Sequence, residues 1–146
     1  MQLATAEVAR NEAETRLVRL RALLGRNVSD FATSDVASSP VMQRLRERAA
    51  ELHGQLAQLS SSLGDSHPKV LTIKAAIAKS NEEMRAEIAR LVTSLEGDVR
   101  VAVAKEATLR QNLAATGAEI ARSRDGQKKL GSLKATDRGP PRCESR

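Results

Sequence analysis

Residues 56–70 read Leu56-Ala57-Gln58-Leu59-Ser60-Ser61-Ser62-Leu63-Gly64-Asp65-Ser66-His67-Pro68-Lys69-Val70, and the fold turns on them. Leucines spaced three and four apart run into Gly64, a polar triplet and Pro68, after which an apolar residue restarts the pattern. Pro68 disfavours helical geometry at His67 but suits the first position of a new helix, where an N–H is not needed. Asp65 or Ser66 is expected to accept hydrogen bonds from that helix's first turn. A connection this short leaves its two helices antiparallel.

Working outward, the preceding helix begins at Ser39-Pro40, a capping residue followed by a proline at the first helical position. Its apolar stripe is Val41, Leu45, Ala49, Leu52, Leu56, Leu59 and Leu63, a near-heptad repeat. The following helix is expected from Pro68 to about Arg124, with the stripe Val70, Ile73, Ile77, Asn81, Met84, Ile88, Leu91 and Leu95. Folding the hairpin at residues 64–68 sets Leu63 against Val70, Leu59 against Ile73 and Leu56 against Ile77. It also sets Leu52 against Asn81, Ala49 against Met84 and Leu45 against Ile88. Asn81, the polar member of the seam, is the type of residue that fixes register at some cost in stability. Past Leu95 the heptad meets Asp98 and Lys105, and an 11-residue frame fits better: Ile77, Ile88, Val99; Leu91, Ala102, Leu113; Leu109, Ile120.

Upstream, Gln2 to Leu24 carries a third stripe: Leu3, Ala6, Ala13, Leu17, Leu20 and Leu24, with Arg10 in the one missing seam position. Gly25 is a plausible stop. Residues 26–39 lose the periodicity and read as a loop that Phe31 and Val36 tack onto the rod. The first helix then runs parallel to the second and packs on the far half of the third. The expected organisation is an outgoing helix at 1–25, a loop at 26–40, a coiled-coil hairpin at 41–125 and a disordered basic tail at 126–146.

Composition agrees with an elongated all-α chain. Of 146 residues, 40% are hydrophobic but only 1% aromatic, and 29% are charged. Leu, Ala, Glu, Arg and Lys at helical period make rods rather than compact cores. The net charge of +6 resides mainly at the carboxyl end. There Arg122, Arg124, Lys128, Lys129, Lys134, Arg138, Arg142 and Arg146 face Asp125, Asp137 and Glu144, which leaves +5 in the tail. Balanced charge on the rod argues against nucleic-acid binding, which needs Lys and Arg along one side of a folded element. Cys143 is the single cysteine and can form no disulfide within the chain. No signal peptide or apolar span is visible, so the chain alone is expected to stay in the cytoplasm.

No catalytic, cofactor-binding or metal-binding residue stands out. His53 and His67 lie apart, no Cys, His, Asp and Glu cluster has ligand spacing, and Gly126-Gln127-Lys128-Lys129 lacks the rest of a phosphate loop. Glu82, Glu83 and Glu87 among Lys79, Arg85, Arg90 and Arg110 read as a solvated helix face.

The turn, with its Gly64, His67 and Pro68, resembles the hairpin of bacterial exopolysaccharide transport proteins, the Wzz-like polysaccharide co-polymerases. Val36, Ser39 and Leu45-Arg46 are similar to the start of that family's outgoing helix. Residues 87–96 (Glu87-Ile88-Ala89-Arg90-Leu91-Val92-Thr93-Ser94-Leu95-Glu96), Ala104-Lys105-Glu106 and Leu109 are similar to its return helix. The resemblance spans about Leu3 to Ile120. It implies a periplasmic coiled-coil arm of an inner-membrane homo-oligomer that helps set polysaccharide chain length and contacts the synthesis and export machinery. The family's tyrosine autokinase, membrane helices and α/β base have no counterpart in these residues. Beyond about Gln127 the pattern is left, as a truncated or frame-shifted reading frame would leave it. Two other roles are compatible with such a rod: the α-hairpin of a periplasmic secretion-pump adaptor, and a generic soluble coiled-coil scaffold.

Overall fold

The computed structural model describes residues 1–26, 34–137 and 139. The expected tack at Phe31, the Cys143 thiol and the end of the basic tail lie outside the described residues. The chain is an all-α helical hairpin. Its elements are α1 (Gln2–Leu24), α2 (Ser34–Ala37), α3 (Pro40–Leu63) and α4 (Pro68–Thr136).

The start of α3 follows from its first residues. Ser39 has extended backbone, its Oγ accepts from the Met42 backbone N–H at 3.3 Å, and Pro40 occupies the first turn. At the turn, Gly64 takes φ +80°, the left-handed region that a side chain would strain. The cap of α4 differs from the expected one. His67 Nδ1, rather than Asp65 or Ser66, accepts from the Lys69 backbone N–H at 3.2 Å. Asp65 instead reaches forward to Lys74 Nζ, 3.5 Å away.

The return helix α4 has 69 residues, about 100 Å at 1.5 Å per residue. It does not stop near Arg124, and residues 126–136, expected to be part of a disordered tail, are helical. That segment holds Lys128, Lys129, Leu130, Leu133 and Lys134 and no proline before Pro140; Gly126 and Gly131 weaken the helix without breaking it, so it continues. The loop expected over 26–39 contains the single turn α2.

Three ion pairs define the direction of α1 on α4: Arg21 with Glu96, Arg10 with Glu106, and Glu7 with Arg110. Numbers rise along one helix as they fall along the other, so α1 is antiparallel to α4 and parallel to α3. The rod is therefore one long helix with two shorter ones laid end to end along it.

The core lies where those two meet. Leu17, Leu20 and Leu23 of α1, Val36 of α2, Met42 and Ala49 of α3, and Met84, Ile88 and Val92 of α4 form one buried cluster, flanked by Leu45, Leu91, Leu95 and Val99. Two seam positions expected to be inside are displaced at this junction. Leu24 is exposed and Leu23 buried, while Val41 is exposed and Met42 wholly buried. One residue is about 100° around a helix, and a third element arriving at the junction draws in the neighbouring face. Toward the turn, Val70 and Ile77 are buried, Leu52, Leu56, Leu59, Ile73 and Asn81 are half-buried, and Leu63 is exposed. Two helices without a third layer cover their seam only in part.

Candidate functional site

Two buried carboxylates, and not the turn alone, distinguish this rod from a plain coiled coil. Glu87 lies beside Ile88 on α4 and is 7% exposed. Arg90, one turn on, grips it with both arms, Nε to Oε2 at 2.9 Å and a terminal nitrogen to Oε1 at 2.6 Å. Ser39 Oγ donates to Oε1 at 3.1 Å. The same hydroxyl thus caps α3 and ties its first turn to α4. The hydrogen bonds from Arg90 hold the Glu87 carboxyl below the usual carboxylate range; burial opposes this, and the Ser39 bond adds to it. Glu87 in turn pushes the Arg90 guanidinium up.

Glu106 is 2% exposed in the α1–α4 interface. Arg10 Nε lies 2.9 Å from Oε2 and Arg110 lies 2.6 Å from Oε1. Arg110 also reaches Glu7 at 3.0 Å, which makes a four-member chain of alternating charge. The pairs are close but poorly aimed. Arg10 Nε and both Glu106 oxygens lack a well-directed hydrogen bond among the described residues. Close charges without linear N–H···O geometry give attraction with incomplete compensation for lost water.

The sequence held partial signals for both. Arg10 was legible as the gap in the α1 seam, and Glu106 falls 11 residues after Leu95 and 22 after Met84, in the apolar frame of α4. A cation and an anion interrupting two facing stripes are candidates to meet, but the register that joins them is a property of the packed pair. Reading Glu87 as a solvated residue overlooked its place next to Ile88, at the margin of the stripe. That expectation is corrected by its burial and its bond to Ser39. No residue-level signal foretold the burial of Ser80 Oγ, which has no hydrogen-bond partner among the described residues.

The turn residues Gly64, His67 and Pro68 form the end of the rod, with His67 half-buried and its Nδ1 occupied by the Lys69 N–H. Hollows on the surface are shallow. One of them is an open groove of about 430 Å³ between Met1, Thr5, Ala6 and Ala9 on α1 and Lys105 and Leu109 on α4. Among the described residues no group of three or more His, Cys, Asp or Glu is placed to hold a metal ion, and no helix is long and apolar enough to cross a membrane. His53 is exposed on α3. The arrangement can pair helices and present long faces. Comparison with family models, curated proteins and solved structures finds no match to this chain.

Proposed function

We propose that this chain is a structural and assembly segment: the coiled-coil arm of an exopolysaccharide chain-length determinant or export protein, without catalysis of its own. The observation that carries the reading is the tip. A left-handed Gly64 and a His67-capped, Pro68-initiated return helix close a narrow antiparallel hairpin on the same Gly, His and Pro residues that resemble the co-polymerase turn. The long return helix agrees with such an arm, because a rod carries force and spacing along its axis and exposes faces for other copies. Seam leucines left half-covered along α3 suit further helices from a homo-oligomer. On this reading the arm faces the periplasm, and its partners are copies of itself and the polysaccharide synthesis and export proteins.

The test uses a bacterium that makes exopolysaccharide, with the full chain sent to the periplasm behind a cleavable signal. Polymer length is read on gels. The native chain should shift the length distribution by competing for assembly. Gly64→Val, which forces a β-branched residue into φ +80°, together with Pro68→Ala should abolish the shift. A folded periplasmic native chain that leaves polymer length untouched would sink the proposal.

A further inference from the structure

We infer that the amino-terminal half of α1 is a strap that opens independently of the carboxyl-terminal half, with the Glu106 cluster as its clasp. The inference concerns the chain's own mechanics and stands apart from any role in polysaccharide export.

The two halves of α1 are held differently. Leu17, Leu20 and Leu23 enter the shared core and are 7%, 2% and 5% exposed. Between Gln2 and Arg16 the only buried apolar residue is Ala6, whose methyl group contributes little area. Leu3 and Ala13 are half-buried, Val8 is exposed, and the open groove beside Ala6 and Ala9 leaves that interface loosely filled. What remains to hold this half is charge: Arg10 on Glu106, and Glu7 on Arg110. Neighbouring cooperative units with such different apolar support open with different free energies.

A buried ion cluster also makes a sharp clasp. Glu106 is 2% exposed, and losing one of its partners leaves a buried charge incompletely paired, which is destabilising. Replacing anion and cation together by apolar side chains removes that penalty. When the strap lifts, Ala102, Glu106 and Leu109 come free. They lie on the same side of α4 as Leu113 and Ile120, which are 63% and 50% exposed. Opening therefore lengthens an apolar face of α4 back toward the core, and closing shortens it.

The test is residue-resolved amide hydrogen exchange on the full chain. In the native protein, residues 7–14 should exchange faster than 17–24. Glu106→Gln removes the anion between Arg10 and Arg110, leaving them only their outer partners Glu14 and Glu7. It should raise exchange at 7–14 by roughly tenfold or more while leaving 17–24 unchanged. The paired change Arg10→Leu with Glu106→Leu keeps the interface closed, so it should slow exchange at 7–14 below the native rate. That variant distinguishes the clasp from ordinary fraying of a helix end, which neither substitution would move. The inference is overturned if Glu106→Gln has no effect or speeds exchange along all of α1. It is equally overturned if the double leucine variant opens the segment as the single one does.

Discussion

The two interfaces of α4 solve one problem by opposite means. Against α3 it presents Val70, Ile77, Met84 and Ile88, all buried, and among the described residues no ion pair joins the two helices. Against the amino-terminal half of α1 it presents Glu106 and Arg110, with Ala6 as the only buried apolar partner on the other side. Apolar burial scales with area and tolerates small misalignments, whereas an ion cluster is costly to desolvate and specific in geometry. The apolar seam is thereby the tolerant interface and the amino-terminal half of α1 the selective one. Beyond both, residues 111–136 of α4 are exposed throughout, and among the described residues none of them enters an ion pair or the core.

The greatest difference between these regions should appear in the core. Ile88→Ala, at a wholly buried position in the shared cluster, should cost about 3–4 kcal/mol in urea unfolding. Leu56→Ala, in the half-buried part of the seam, should cost roughly 1–2 kcal/mol, because less area is lost and water already reaches the site. Equal costs at the two positions would mean that the hairpin is covered by something more than α3 and α4.

A smaller effect tests the polar tie at the base of α3. The Glu87 carboxyl titrates lower when folded, chiefly through Arg90, so its ionised form favours the fold. Its contribution, about 1 kcal/mol, is complete above the usual carboxylate range and is lost as pH falls through the depressed folded value. Urea midpoints of the native chain and Glu87→Gln should differ at neutral pH and converge in acid. A constant gap down to low pH would assign the effect to packing instead.

In the distal part of α4 the effects should be local. A Cβ at Gly117, Gly126 or Gly131 meets no atom within 4 Å. Each Gly→Ala should stabilise that stretch of helix by roughly 0.8–1 kcal/mol, seen as slower amide exchange at 112–136 with the urea midpoint unmoved. The smallest change is expected for Leu133→Ser. Leu133 is 67% exposed, and its loss should stay within about 0.5 kcal/mol; a larger one would reveal a second molecule on that face.

The hairpin itself was legible because its signals are local. Ser39-Pro40 and His67-Pro68 set helix starts through backbone chemistry within three residues, and period alone put Ala49, Met84 and Ile88 inward. The end of α4 is not legible because a charged, aperiodic stretch shows no apolar stripe, while helix formation by Lys, Gln and Leu does not require one. Both buried glutamates escaped notice because burial of a charged residue depends on which partner arrives from a distant part of the chain.

The sequence by itself determined three helical runs, the sharp reversal at 64–68, the antiparallel hairpin and the docking of α1 on the far half of α4, since periodicity, capping and chain length act over short range. Only the tertiary structure decided that Leu23 and Met42 displace Leu24 and Val41 at the three-helix junction, and that Arg10 and Glu106 close on one another. Those outcomes depend on the relative rotation and register of helices up to 96 residues apart, and register is an energy of the assembled faces that neither stripe contains alone.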